Sequence, residues 1–363
     1  MIIQIQPWIN ELELEELTKV ITSTFITENS MTKEFESMTL DLTGAKYAVS
    51  VANGTLGLYC ALLALEIGPG DEVLVPDMTF IATANAVIMA GAKPVLCDVD
   101  QHSLGISIKS LSSKLSTKTK AIMPVHLYGN TADMDSILKF AKEHNLKVIE
   151  DAAQGVGVHY RSQHVGTFGH IGVLSYYGNK TITTGEGGVI LTNDENLAKI
   201  CYRLKNHGRD QKGSFKHDYI GFNFSFTDLQ AAVGVAQMKK LPEILRRKKE
   251  IFDKYYFELS GIEELCFYKI KNQENPVYWF TSLSSSKRDK LSEFLLEEGV
   301  QTRRFFYPLH LQPCYEGSPK INKNGDFNNS KQAYETGISL PSSYVLKDEE
   351  QNFVIEKIKK FFN

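Results

Sequence analysis

The chain predicts an α/β fold, with a large domain built on a mainly parallel sheet and a smaller α+β domain at its C-terminal end. Three observations carry this expectation. From about residue 46, short apolar, β-branched runs alternate with segments whose apolar positions recur near the helical period. After Gly221 the alternation stops, and a long helical stretch at 227–258 leads into shorter mixed elements. The 363 residues, 42% hydrophobic and 23% charged, suffice to bury one large core and a second, smaller one.

In chain order, the candidate strands are 47–51, 72–75, 94–98, 121–127, 147–150, 172–176 and 188–192, with helical patterns at 56–65, 81–89, 134–144 and 195–205 between them. The last strand follows Gly-rich sequence with no intervening helix, so it is expected to run antiparallel. The charged run Arg246-Arg-Lys-Lys-Glu250 inside the long helix reads as a solvated face. Strand-like 278–283, helical 288–297 and a closing helix at 349–362 make up the smaller domain. The division falls at 1–240, a large domain with an N-terminal helical segment, and 241–363, a small α+β domain.

Composition narrows the partners. Forty basic residues stand against 43 acidic ones, a net charge of −3, so no global field draws the chain to nucleic acid or an anionic membrane, and a small-molecule partner fits better. Cys60, Cys97, Cys201, Cys266 and Cys314 are scattered and show no metal-ligand or disulfide spacing, as expected of a reducing cytoplasm. The N-terminus lacks a basic signal-peptide region, and no apolar run approaches the roughly 20 residues of a membrane span. No strand leads into G-x-G-x-x-G, and no G-x-x-x-x-G-K-[ST], G-x-S-x-G or H-E-x-x-H run occurs, which argues against nicotinamide, P-loop and common hydrolase chemistry.

Ligands of open α/β sheets bind beyond the carboxyl ends of the strands, so the residues just after each strand are informative. Asn53-Gly54-Thr55 follows the first strand and opens a helix whose unpaired N–H groups suit a phosphate. Asp151 and Gln154 follow the strand at 147–150. A carboxylate buried there can hold a pyridine nitrogen protonated, making the ring an electron sink, although an aspartate in this place also serves as an ordinary helix cap. Lys180 follows the strand at 172–176 through Tyr176 and Tyr177. Most lysines are solvated, but this apolar approach predicts a desolvated amine that is nucleophilic toward a carbonyl. Phe80, beyond the second strand, is placed to stack on an aromatic ring.

These residues fall in runs that extend along nearly the whole chain. Asn53-Gly-Thr55, Ile67-Gly-Pro-Gly-Asp-Glu-Val73, Val125-His-Leu-Tyr-Gly129, Glu150-Asp-Ala-Ala-Gln154, Gly178-Asn-Lys-Thr-Ile-Thr-Thr-Gly-Glu-Gly-Gly188, Asn206-His-Gly-Arg209 and Tyr307-Pro-Leu-His310 resemble the DegT/DnrJ/EryC1/StrS family of sugar aminotransferases. The resemblance implies a fold-type I, aspartate aminotransferase-like subunit that uses pyridoxal 5'-phosphate and works as a homodimer with active sites at the subunit interface. Carried over by position, Lys180 is the Schiff-base lysine, Asp151 the partner of the pyridine nitrogen and Gln154 a contact to the ring oxygen. Gly54, Thr55 and Ser175 are phosphate contacts, Phe80 stacks on the ring, and Asn223 reaches the phosphate of the neighbouring subunit. Arg209, Tyr307 and His310 are implied sugar-nucleotide contacts.

Within the family, the run after Gly178 is closest to the perosamine synthases, which aminate C4 of GDP-4-keto-6-deoxymannose with L-glutamate as donor. The implied product, a 4-amino-4,6-dideoxy sugar, belongs to O-antigen and lipopolysaccharide biosynthesis. The same motifs leave open a dTDP- or UDP-linked 4-keto-6-deoxy sugar, a deoxysugar dehydratase and a non-catalytic sugar-nucleotide-binding paralogue. Lysine at 180 argues against the dehydratase branch, which carries histidine there. The chain departs from the family pattern at Asn29-Ser30, His170 and Ser225-Phe226.

Overall fold

The computed structural model describes residues 1–210, 213–268 and 277–363. The first half runs α1 (Glu11–Ser23), α2 (Ser30–Thr43), β1 (Tyr47–Val51), α3 (Gly54–Ala64), β2 (Glu72–Pro76), α4 (Ala82–Met89), β3 (Lys93–Cys97), α5 (Ile108–Lys114), β4 (Thr119–Ile122), α6 (Met134–Glu143) and β5 (Lys147–Asp151). A short hairpin, β6 (His159–Tyr160) and β7 (Gln163–His164), precedes β8 (Ile171–Ser175), β9 (Gly188–Thr192), α7 (Glu195–Lys205) and the long α8 (Asp228–Leu259). The remainder is β10 (Cys266–Phe267), β11 (Thr281–Ser284), α9 (Arg288–Glu297), β12 (Arg303–Arg304), α10 (Asn328–Thr336), β13 (Gly337–Leu340) and α11 (Asp348–Phe362).

Seven strands form one sheet in the order β1-β9-β8-β5-β4-β2-β3. It is parallel from β8 to β3, while β9 runs antiparallel to both β1 and β8, as the missing crossover helix predicted. Both faces are apolar. In β2, Leu74 points into the core beneath α2, α6 and α8, whereas Val73 and Val75 join the core formed with α3, α4 and α7. Because β9 reverses direction, β1 and β8 are parallel to each other. The carboxyl ends of β1, β2, β5 and β8 therefore lie along one rim.

The strand expected over 121–127 pairs regularly only as far as Ile122. Pro124 has no N–H to give the ladder, and its carbonyl instead accepts from Asp151 N at 2.9 Å, which fixes the start of the loop at the rim.

Helix α8 is capped by Thr227, whose side chain and Gln230 form a capping box, and runs on through residue 240 to the smaller sheet, β10-β11-β13-β12. We propose the domain division inside this one helix. The first residues fasten onto the small domain, with Ile2 bridging Val300 and Gln4 donating to Leu340 O.

One expectation for α8 fails. In the charged run, Lys248 is buried, and its Nζ donates to Trp279 O and Ser342 O, each at 3.0 Å. Position 248 shares a helix face with Ile244, Ile251 and Tyr255, so the 3.6-residue period turns it inward while Arg246, Lys249 and Glu250 stay at the surface.

Candidate active site

A cavity of about 640 Å³ opens at the rim where β1, β5 and β8 end, and Lys180, Asp151, Gln154, Ser175, Gly54, Thr55 and Phe80 all line it. Sequence positions 54 to 180 thus converge on one place because their strands end side by side.

Lys180 lies in the loop that joins β8 to β9. The loop is held by Tyr176 N donating to Gly187 O and Thr184 N donating to Tyr176 O, and by the Tyr176 ring, which sits edge-on against Phe35 in the core. Lys180 Nζ lies 4.6 Å from the Trp279 ring centre. Desolvation lowers its pKa to about 8; nearby Asp151 opposes the shift and Arg303 adds to it. A substantial fraction of the amine is therefore neutral, hence nucleophilic, near physiological pH.

Asp151 closes β5. Its Oδ2 accepts from Thr83 Oγ1 at 2.7 Å and its Oδ1 from Ala153 N at 3.1 Å. Burial pushes its pKa up, and these two hydrogen bonds and the positive charge of Lys180 pull the other way. A buried carboxyl short of positive charge is suited to a cationic partner within the cavity. Gln154 Oε1 is taken by Tyr128 N at 2.7 Å, which leaves its NH₂ group to donate.

The opposite end of the cavity is built for an anion. Asn53 caps α3 by accepting from Leu56 N at 3.0 Å, leaving the Gly54 and Thr55 N–H groups among the unpaired donors of the first turn. A Cβ on Gly54 would lie 3.0 Å from Ser175 Cβ, so glycine keeps this cradle open beside the Ser175 hydroxyl. Phe80 is 55% exposed and tilts against Phe306 with centroids 5.9 Å apart, leaving its ring on the cavity wall. An acid at one end, an anion cradle at the other and a lysine and an aromatic face between them fit pyridoxal phosphate.

Asn223, Arg209, Tyr307 and His310 do not line this cavity. Asn223 lies in a bridge with Asn206, and Arg209 donates to Asn206 O, Asn206 Oδ1 and Ser214 O. Tyr307 packs edge-on against Tyr334. His310 is held by Asp77 through both its backbone N (2.8 Å) and its ring Nδ1 (2.7 Å). The departures are locally satisfied: His170 Nδ1 accepts from Val148 N, and Ser225 N donates to Asn223 Oδ1.

Sequence reasoning missed Trp279, Arg303, Phe306 and Glu186, which also line the cavity, and Thr83, which orients Asp151. Trp279, Arg303 and Phe306 come from the C-terminal part of the chain and reach the rim through tertiary packing, so local spacing carries no sign of them. Thr83 carried a faint sign, a polar residue near the start of a helix at the rim.

Comparison with known proteins places the chain among aminotransferases. Residues 7–359 match the family described as the DegT/DnrJ/EryC1/StrS aminotransferase family. A protein named GDP-perosamine synthase from Escherichia coli O157:H7 is 37% identical over 362 residues, covering 99% of this chain and 98% of that one. The aminotransferase TlmJ from Streptoalloteichus hindustanus superposes with a TM-score of 0.93 at 30% identity, covering 99% and 98% of the two chains. NtdA from Bacillus subtilis, solved with bound cofactor PMP, gives 0.90 at 29% identity over 97% of this chain and 81% of that one.

Proposed function

The chain belongs to the DegT/DnrJ/EryC1/StrS aminotransferase family. On that premise we propose that this pyridoxal-phosphate-dependent enzyme transfers the amino group of L-glutamate to C4 of GDP-4-keto-6-deoxy-D-mannose, giving GDP-perosamine. The observation that carries the substrate assignment is the 37% identity to a protein named GDP-perosamine synthase across 99% of this chain.

The geometry supports roles for the chain's own residues. Bound in the cavity, the cofactor supplies a carbonyl for the amine and an electron sink for the developing charge. Lys180, partly neutral in its desolvated loop, would hold the cofactor through its Nζ and, when free, would take the α-proton of glutamate and, in the second half-reaction, return a proton to C4 of the sugar. Asp151, oriented by Thr83, would hold the pyridine nitrogen protonated, and the NH₂ group of Gln154, left over by Tyr128, would donate to the ring oxygen. Gly54, Thr55 and Ser175, which line the cavity, would hold the phosphate, and Phe80 would cover the ring.

We assign Asn223 to the phosphate of a neighbouring subunit and Arg209, Tyr307 and His310 to the sugar nucleotide. All four lie outside the cavity of the single chain, and we infer that they meet a site shared between two subunits. We place the enzyme in the cytoplasm, where its nucleotide-sugar and glutamate substrates are made; no described helix is long and apolar enough to cross a membrane. The deciding assay offers glutamate with GDP-, dTDP- and UDP-linked 4-keto-6-deoxy sugars and reads the products by mass and NMR. A 4-amino product from the GDP-mannose derivative is expected. Amination at C3, or turnover confined to another nucleotide, overturns the assignment.

A further inference from the structure

We infer that Trp279 is a further catalytic residue, whose indole face receives the Lys180 ammonium during proton transfer, and that the buried Lys248 is the positioning residue that holds the indole there. The inference rests on Lys180 being the reacting amine.

Four contacts converge on Trp279. Lys180 Nζ lies 4.6 Å from the indole centre. The indole N–H donates at 2.8 Å to the carbonyl of Asn179, the residue just before Lys180, so ring and loop are tied together. Phe280 stacks on the indole at 3.8 Å. The Trp279 carbonyl accepts from Lys248 Nζ at 3.0 Å, and the same ammonium reaches Ser342 O at 3.0 Å.

Lys248 is an expensive way to fill this place. It is 2% exposed, and among the described residues no carboxylate pairs with it. Burial alone lowers its pKa to about 7. A leucine would pack against Ile244, Ile251 and Tyr255 without that cost. What lysine adds is a donor that joins two distant carbonyls, 279 and 342, to α8. Residues 277–279 are confined from the other side too, since a Cβ on Gly129 would lie 1.9 Å from Val277 O. The indole is therefore held against the lysine loop.

The fixed indole has a use in the reaction. When Lys180 is free it must take up a proton at a buried position where Arg303 disfavours a second positive charge. The negative face of an indole stabilises an ammonium there without offering an oxygen that competes for the proton. The proton gained at Nζ leaves from the same nitrogen, so nothing is consumed.

The test uses the cofactor-loaded full chain as wild type, Trp279→Phe, Trp279→Leu, Lys248→Met and the double variant Lys248→Met/Trp279→Leu. Borohydride trapping and mass spectrometry first establish whether the cofactor is on Lys180. The glutamate half-reaction is then followed in single turnovers with protiated and α-deuterated donor. We expect Trp279→Leu to keep wild-type trapping and a half-saturating glutamate concentration within about twofold, while its rate constant falls about 10- to 100-fold with a larger deuterium effect. Trp279→Phe should fall between. Lys248→Met should resemble Trp279→Leu and add nothing to it in the double variant. A wild-type rate and isotope effect in Trp279→Leu, or additive losses in the double variant, overturns the inference. If Lys248→Met does not fold, the Trp279 pair decides alone. Failure to trap the cofactor on Lys180 in the wild type overturns the underlying reading of Lys180 instead.

Discussion

Thr83 Oγ1 donates to Asp151 Oδ2 at 2.7 Å, so a hydroxyl from α4 orients the carboxyl that faces the cavity from β5. Asp151→Asn is expected to retain cofactor and to slow both half-reactions by about 10²- to 10⁴-fold, read by stopped-flow absorbance. Thr83→Val is milder, with a distinct pH signature. The hydroxyl bond lowers the Asp151 pKa against burial, so its loss raises that pKa further. The carboxylate is then protonated earlier as pH falls, and the acid limb of the rate profile moves to higher pH. An unmoved limb refutes the role of Thr83.

Lys180→Ala should lose covalent trapping of the cofactor and about 10⁴-fold in amino transfer together. Retention of either at wild-type level is incompatible with the assignment.

The Lys180 amine, lowered to about 8, is partly neutral near physiological pH and becomes mostly neutral above about 8. The rate at which cofactor-free protein combines with pyridoxal phosphate should accordingly rise with pH through about 8. Arg303 contributes to the lowering, so Arg303→Met favours the ammonium, raises the pKa and shifts the rise to higher pH. A shift to lower pH contradicts this sign.

Gly54→Ala places a methyl group 3.0 Å from Ser175 Cβ, inside the anion cradle. The dissociation constant for cofactor, from absorbance titration, should rise about tenfold or more, while the glutamate half-reaction of the saturated enzyme changes little.

Mixing inactive Lys180→Ala with inactive Asn223→Ala should regain activity as mixed dimers form, because one of the two sites in each then has both residues intact. Absence of regain in mixtures shown by native mass spectrometry to contain hybrids removes Asn223 from the shared site.

The sheet was legible in the sequence because each strand is a local apolar run, and Lys180, Asp151 and Gly54 were legible because each lies at or soon after the carboxyl end of its strand. Residues that act from elsewhere were not. Trp279 and Arg303 reach the cavity through the packing of the C-terminal part onto the rim, and nothing in their immediate sequence reports that. Lys248 was misread because its four charged neighbours hide the helical phase it shares with Ile244 and Ile251. Arg209, Tyr307 and His310 stand out as motif residues, yet none of them lines the cavity of the single chain.

The reversed strand β9 also makes two closures of very different reach along the chain. Its pairing with β8, Ser175 opposite Gly188, closes over a short stretch of chain, whereas its pairing with β1, Tyr47 opposite Thr192, joins residues far apart in sequence. Short closures form sooner than long ones during folding. The pairing that frames the lysine loop is thus expected to form before the one that docks β1 and, with it, the helix carrying Gly54 and Thr55; pulse-labelled hydrogen exchange during refolding should protect β8 and β9 ahead of β1.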